Sequence, residues 1–382
     1  MSRGHITRRG KRSWRLKFEV EPDPKGLRKT RYVTVRGKRA DAERELTRLL
    51  SAVDGGAQVE PSKQNLGEFV ASRVDQWEAA GAISARTAQR YRQLVKNQIC
   101  PHLGLKPLHK VRPLDIEAWH TTLRSSGRAD GKGGLSARSI GHAHRVLGKA
   151  LSDAAKNDLV VRNVCKMESA PKVEEGEVII VHDVPALLAK LKGHRLHLLA
   201  MTSLFTGMRL GEALALRYSR TDLERRVAQI REALEFTKAH GLRFKTPKSK
   251  AGVRDVTLPD ILVEALQAHR KDQLELRIKL GAGRLPNDAL VFSDIEGKPL
   301  SPNAISSAWG DFAKAAGIPE VTFHALRHTH ASQLIDAGVD IVTISRRLGH
   351  AKPDITLRIY AHLFRKDDSK ASAAINAAIG KL

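Results

Sequence analysis

The chain has 382 residues and a formal net charge of +25, with a pI near 10.3. A positive charge of this size indicates a nucleic-acid partner and, less often, an anionic membrane surface. No run of about eighteen apolar residues occurs, so the sequence predicts no membrane-spanning helix and no membrane partner.

Motifs for cofactor and metal chemistry are missing from the sequence. Two isolated cysteines, Cys100 and Cys165, predict neither a disulfide framework nor a metal site, and they fit a reducing cytoplasm. There is no Walker A loop, no HExxH and no GxGxxG. We therefore expect no cofactor and no metal.

The first fifty residues are strongly basic, with sixteen Lys and Arg against six Asp and Glu. Apolar and charged residues alternate along 14–20 and 31–37, which predicts strands, with a turn at 21–29 and a helix over 40–53. We expect a small three-stranded sheet backed by one helix, forming a domain at 1–58. Its arginines favour DNA contact, and a β-rich domain with a basic solvent face is the alternative.

Residues 54–62 predict a linker, and the pattern from 66 to 164 is helical throughout. It holds four amphipathic segments, with Ser84 and Ser136 expected to cap the second and the fourth. Four such helices predict one small bundle, a domain at 64–165. Basic residues along the second and fourth helices indicate either a phosphate-contacting face or an ordinary solvated face.

The third region, 175–382, is predicted to be mixed and mostly helical. The pattern changes to period two between 226 and 258, where Pro247, Ala251 and Gly252 indicate the turn of a hairpin, and helices return afterwards. The whole chain is therefore predicted to be mainly α and multidomain, with a small sheet or hairpin in its third domain.

Residues 323–363 carry a dense set of chemically active side chains. His324 and Arg327 are three residues apart on a predicted helix, so they lie on one side of it. His350 follows at a predicted turn, and Tyr360 lies on the next helix. These groups could converge on one phosphate, and a helical hairpin with a few surface histidines is the alternative.

Together with Arg209 and Glu212 on an earlier helix and Lys248 and Lys250 in the hairpin, these residues resemble the tyrosine recombinase family, the integrases of temperate bacteriophages. The resemblance covers nearly the whole chain, including an arm-binding N-terminal domain and a SAM-like core-binding bundle. Five motifs carry it: T-G-M-R-L-G-E at 206–212, P-K-S-K-A-G-V-R at 247–254, H-A-L-R-H-T-H-A-S at 324–332, L-G-H at 348–350 and Y-A-H at 360–362.

The resemblance implies a role for each residue. Arg209 and Arg327 would neutralise the phosphate, because a guanidinium is permanently charged and forked. His324 would accept or share the proton of the nucleophile, Tyr360, and His350 would hydrogen-bond the phosphate.

A lysine would protonate the departing 5′-oxygen. Lys248 is the first choice and Lys250 the second, with Glu212 in support of the arginine and histidine groups. The neighbouring His328 and His330 are expected to be structural.

The implied activity is site-specific recombination of double-stranded DNA through a covalent 3′-phosphotyrosine intermediate, integrating or excising a prophage or mobile element. Family members act as homotetramers on core and arm-type attachment sites, with possible accessory DNA-bending or directionality proteins. The expected location is the cytoplasm of a bacterial host, at the nucleoid. DNA relaxation of the type IB topoisomerase kind and a catalytically silent DNA-binding regulator are the alternatives.

Overall fold

The computed structural model divides the chain into two compact units, Met1–Glu174 and Glu175–Leu382. Most of the predicted turn at 21–29, most of the predicted linker at 54–62 and the residue Lys248 lie outside the described residues. The described residues are 4–20, 29–54, 64–174, 176–247, 249–363 and 369–379.

The first unit begins with the predicted three-stranded sheet and helix. Strands β1 (Gly4–Gly10), β2 (Ser13–Val20) and β3 (Lys29–Arg36) are antiparallel in that order, and helix α1 (Arg39–Asp54) packs against them. Alternation along β2 places its apolar side chains on the face that α1 covers. The buried core of this part consists of Leu16, Phe18, Ala42 and Leu46.

A helical bundle with its own core follows. Ser84 and Ser136 cap the helices that they precede, as predicted, by accepting hydrogen bonds from backbone N–H groups. The second predicted helix is interrupted by a π-helical turn, at which the hydrogen-bond spacing changes. The elements are α2 (Leu66–Ala79), α3 (Ala85–Leu94), the π turn Val95–Ile99, α4 (Cys100–Leu103), α5 (Pro113–Ser126) and α6 (Ala137–Lys156).

The second unit is mostly helical, with small sheets. One core holds its helices together, and a smaller cluster lies around Tyr360. The helices are α7 (Val184–Leu191), α8 (His197–Thr206), α9 (Leu210–Leu214), α10 (Asp260–Lys279), α11 (Pro302–Ala315), α12 (Ala325–Asp336), α13 (Ile341–Leu348), α14 (Pro353–Tyr360) and α15 (Ser369–Ile379).

Its strands are β4 (Thr221–Asp222), β5 (Val227–Ile230), β6 (Ala233–Thr237), β7 (Gly241–Lys245) and β8 (Arg254–Thr257). The prediction of a hairpin turn at Pro247–Gly252 is wrong. β7 pairs with β6, whereas β8 pairs with β5, so this segment connects two sheets. Period-two alternation identifies a strand but not its partner, which is why the sequence suggested a hairpin.

Candidate active site

The first part of the site is built where α8 ends. Gly207 adopts a left-handed conformation with φ of 68°, and a Cβ there would lie 2.7 Å from His330 Cδ2 and 2.8 Å from Leu348 Cδ2. Glycine is therefore required both by the backbone and by the space. The chain then extends through Arg209, which directly precedes α9.

Glu212 fixes Arg209 at two points. Its carboxylate accepts from the Arg209 backbone N–H at 3.0 Å and from Nη1 at 2.8 Å. The Arg209 side chain is 40% exposed while that of Glu212 is 4% exposed. The guanidinium thus reaches the surface from a buried anchor, and it can take up a further anion.

Arg254 is a second cation on the same carboxylate. Its Nη2 donates to Glu212 Oε2 at 2.9 Å, its Nε to the carbonyl of Arg347 at 2.6 Å and its Nη1 to that of Gly252 at 3.1 Å. Burial alone would raise the pKa of Glu212, but Arg254 and Arg209 outweigh it and the pKa is lowered. Arg254 belongs to a motif quoted above, yet sequence reasoning gave it no role.

Arg327 lies inside the unit, with 2% of its surface exposed. Nη1 donates to the carbonyl of Gly207 at 2.5 Å, and Nη2 to that of Leu348 at 2.6 Å. Burial, followed by the charge of Arg209, lowers its pKa to about 9. A guanidinium has five N–H groups, so donors remain for an anion, whose charge would relieve the repulsion between the two arginines.

The two predicted histidines lie near these charges. His324 directly precedes α12, and its residue as a whole is exposed although its ring lies against the protein. Desolvation of the ring, together with the charges of His328 and Arg327, lowers its pKa to about 4. His350 is half-buried, with Nδ1 2.7 Å from Thr356 Oγ1. Burial, Arg327 and Arg209 lower its pKa to about 4. The Nε2 atom of His350 is the nitrogen left to meet a phosphate oxygen.

The lysine-bearing segment lies against the turn that holds His350. A Cβ on Gly349, whose φ is 68°, would lie 2.9 Å from the carbonyl oxygen of Ala251 and 2.7 Å from Arg254 Nη1. The adjacent Lys250 is exposed. Since Lys248 lies outside the described residues, the choice between the two lysines stays a prediction.

Tyr360 is fully buried at the end of α14. It belongs to a cluster with Ala331, Ile335, Ile344 and Leu348. Its hydroxyl oxygen lies within hydrogen-bond distance of His328 Nδ1, at 2.7 Å. Burial raises the pKa of the phenol to about 12, although the charge of Arg327 acts in the opposite direction.

The two histidines expected to be structural differ in what they contact. His330 donates from Nδ1 to the carbonyl of Leu204 at 2.8 Å, and its Nε2 accepts from Arg347 Nε at 3.0 Å, so it joins α8, α12 and α13. His328 instead contacts Tyr360. Its spacing of four residues from His324 was the available sequence signal for a place in the site.

The structure thus brings Arg209, Arg327, His324 and His350 close enough for both arginine charges to act on both imidazoles. Glu212 underlies the group, and Tyr360 lies beneath the surface. Among the described residues, no cluster of three or more His, Cys, Asp or Glu is placed to hold a metal. The arrangement can stabilise negative charge by fixed cations.

Comparison with known proteins identifies the class. A sequence model of the phage integrase family matches residues 177–367, half of the chain, and a model of the family's N-terminal SAM-like domain matches residues 71–124. The chain belongs to the phage integrase family and is a site-specific tyrosine recombinase.

Related proteins are similar over most of their length. A XerC-like tyrosine recombinase of Caldanaerobacter subterraneus subsp. tengcongensis is 26% identical, with 97% of this chain and 98% of that protein covered. An integrase of Streptomyces ambofaciens is 29% identical, with 90% and 87% covered.

Solved structures share the fold. The Tn1549 transposon integrase in complex with transposon right end DNA gives a TM-score of 0.67 at 20% identity, covering 82% of this chain and 99% of that one. A lambda integrase tetramer bound to a Holliday junction gives 0.57 at 17% identity, covering 92% and 94%. In the described part of the chain, no helix combines the length and apolarity needed to cross a membrane.

Proposed function

We propose that this recombinase cuts and rejoins DNA through a covalent 3′-phosphotyrosine at Tyr360. The observation that carries the proposal is the shared environment of Arg209, Arg327, His324 and His350. The two cations are fixed by a buried carboxylate and by backbone carbonyls, and their charges reach both imidazoles. A phosphodiester in this position would supply the missing negative charge.

Arg209 and Arg327 bind the oxygens of the scissile phosphate and stabilise the charge that develops in the transition state. His350 donates a hydrogen bond to the same group from Nε2. The Glu212 carboxylate accepts hydrogen bonds from Arg209 and Arg254, and so it positions the arginine that binds the phosphate. No step requires a metal, because the fixed cations stabilise the charge themselves.

In the cleavage step, the phenol oxygen of Tyr360 forms a bond to phosphorus and the bond from phosphorus to the 5′-oxygen breaks. The family resemblance assigns the phenol proton to His324, while Lys248, or else Lys250, protonates the 5′-oxygen. The phosphodiester is exchanged for a phosphotyrosine ester. The number and the energy of phosphate ester bonds are therefore conserved, and attack by a 5′-hydroxyl from a partner duplex reverses the step without ATP.

Each part of the chain has a place in this reaction. Domain 1–58 binds arm-type DNA, 64–165 binds core DNA and 175–382 carries the chemistry. Stacking of Arg15 over the exposed ring of Tyr32, 4.4 Å from its centroid, supports the first assignment, since it places a cation beside an aromatic ring on the basic sheet. Four protomers assemble on two attachment sites.

The product is an integrated or excised prophage or mobile element, formed at the nucleoid of a bacterial host cell with or without accessory DNA-bending or directionality proteins. The integrase names of the relatives support this proposal. Relaxation of supercoils would need the same cleavage but no second duplex.

The proposal is tested by incubating the full chain with a nicked suicide core site and measuring the covalent protein–DNA adduct. The wild-type protein should trap DNA, and Tyr360→Phe should trap none. A wild-type protein without an adduct would remove the catalytic proposal, and an adduct from Tyr360→Phe would remove the assignment of the nucleophile. Recombination joins strands of two duplexes and relaxation does not, so the formation of joint DNA molecules distinguishes the two activities.

A further inference from the structure

The hydroxyl of Tyr360 is held by a histidine that has no role in the mechanism above. His328 Nδ1 lies 2.7 Å from the phenol oxygen, and the two rings meet edge to face with centroids 5.7 Å apart. Because Tyr360 is fully buried, solvent does not compete for its hydroxyl. The nucleophile is therefore bonded to one identified group.

The position of His328 on α12 places it beside the rest of the site. His324, Arg327 and His328 follow at spacings of three and four residues, so they share one turn and one side of the helix. The rings of His324 and His328 meet edge to face with centroids 4.8 Å apart. One turn thus presents Arg327 to the phosphate and His328 to the nucleophile.

The surroundings of His328 keep its ring neutral, so Nδ1 can accept a hydrogen bond from the phenol. Burial and the charge of Arg327 lower its pKa, so the ring is neutral near neutral pH. A neutral imidazole with hydrogen on Nε2 has a free lone pair on Nδ1, toward the Tyr360 hydroxyl. In the described part of the chain, no hydrogen bond joins His324 to Tyr360, so the contact distinguishes the two histidines.

We propose that His328 is a further catalytic residue, which orients the Tyr360 hydroxyl and receives its proton during attack. This inference rests on the proposed function. As the bond from the phenol oxygen to phosphorus forms, the phenol proton moves to His328 Nδ1 and gives an imidazolium. The bond to the 5′-oxygen breaks, and that oxygen takes its proton from the lysine-bearing segment. His328 thereby takes the role that the family resemblance gives to His324, and His324 is left to hydrogen-bond the phosphate oxygens.

The test compares two substitutions in single-turnover trapping on the nicked core site. His328→Phe keeps a ring of similar size but has no acceptor. His328→Asn places an amide oxygen near the former Nδ1, so it can orient the hydroxyl but cannot take its proton. Both should trap DNA more slowly, by about 10²-fold, which is a typical loss for a general base.

The pH profile supplies a readout that a structural role would not change. With His328→Asn, the trapping rate should rise with pH across the range in which the wild-type rate is level, because hydroxide must replace the lost acceptor. The groups that act on the His328 ring are Arg327, His324 and Tyr360, and all of them are retained in this variant. Wild-type or faster rates with an unchanged profile would overturn the proposal.

A second substrate identifies which oxygen His328 serves. A 5′-bridging phosphorothiolate has a sulfur leaving group that needs no proton, so it rescues defects in leaving-group protonation only. The His328 variants should remain slow on it, and full rescue would overturn the assignment.

His182→Asn, an exposed histidine of the same unit, is the matched control and should behave as wild type. Melting temperature and core-site binding establish folding, and the smaller Asn change keeps the test decisive if the Phe variant unfolds. Absence of wild-type trapping would instead mean that the proposed function itself has failed.

Discussion

The cations of the site and its nucleophile are held in different ways. Arg327 donates to two backbone carbonyls and Arg209 is bonded to Glu212 through both its backbone and its side chain. Tyr360 has apolar neighbours, and its hydroxyl is within hydrogen-bond distance of His328. Directional hydrogen bonds fix the two arginines, whereas apolar packing holds Tyr360.

The difference indicates which half of the site is ready for DNA. Fixed cations need no reorganisation when charge develops on a phosphate. A fully buried hydroxyl cannot contact a phosphate, so the side chains that cover Tyr360 must open before it attacks, and the proton transfer proposed above requires that its hydroxyl keeps the contact with His328 as they do. Its position favours such a change, because α14 ends at this residue and the described side chains of α15 beyond it are exposed. The cations are preorganised and the nucleophile is withheld.

The largest expected effect comes from breaking the support of the cations. Arg254→Met removes the guanidinium while keeping a long apolar side chain, and it leaves Glu212 with only Arg209. Loss of one partner of a buried pair costs about 3–5 kcal/mol. Urea denaturation should show a drop of this order in the free energy of unfolding.

Arg225→Met is the control, because that side chain is 86% exposed and lies 3.8 Å from Asp222. It should change stability by less than about 1 kcal/mol. Equal losses in the two variants would show that the buried network is not what holds the Arg209 segment.

The next effect concerns the geometry of Arg327. Lysine keeps a positive charge, but one ammonium group cannot reproduce a fork that spans the carbonyls of Gly207 and Leu348. Arg327→Lys should slow single-turnover trapping on the order of 10²-fold, the loss typical of a displaced charge-stabilising donor. Binding of the core site, measured by gel shift, should change far less. A trapping rate near wild type would mean that charge alone suffices.

Local sequence features predicted much of the fold. Ser84 and Ser136 cap their helices because a hydroxyl satisfies exposed backbone donors whatever the tertiary surroundings. Alternation along 14–20 gave β2, whose Leu16 and Phe18 are buried against α1. These are interactions among residues near in sequence or on a single face.

Contacts between distant residues were not predictable in the same way. Periodicity could not tell that β7 and β8 pair with different strands. The bond from Arg254 to Glu212 joins residues 42 positions apart, and that from His328 to Tyr360 joins residues 32 positions apart. The family motifs indicate which residues belong to one site, but they do not predict which of their atoms are hydrogen-bonded in the protein without DNA.

A smaller effect should appear as a pH dependence of stability. The pKa of Glu212 is lower in the folded protein than its usual value of about 4.3, so the carboxylate stabilises the fold above that pH. This contribution should fall as pH decreases through the usual value toward the folded one. The stability difference between wild type and Glu212→Gln, measured by urea denaturation, should therefore shrink below about pH 4.3. A constant difference would contradict the ionised state of the buried carboxyl.

The smallest effect tests how weakly the nucleophile is held. Tyr360→Phe keeps the ring in its apolar cluster and removes only the hydroxyl bonded to His328. A neutral hydrogen bond contributes about 1 kcal/mol, so the free energy of unfolding should fall by roughly that amount while DNA trapping is lost. The matched change Tyr218→Phe removes a hydroxyl that donates to Gln273 from a similarly buried ring, and it should cost about as much without affecting trapping. A loss of several kcal/mol at Tyr360 alone would show that the nucleophile is anchored as firmly as the cations, and exposure of Tyr360 on DNA binding would then require a much larger driving force.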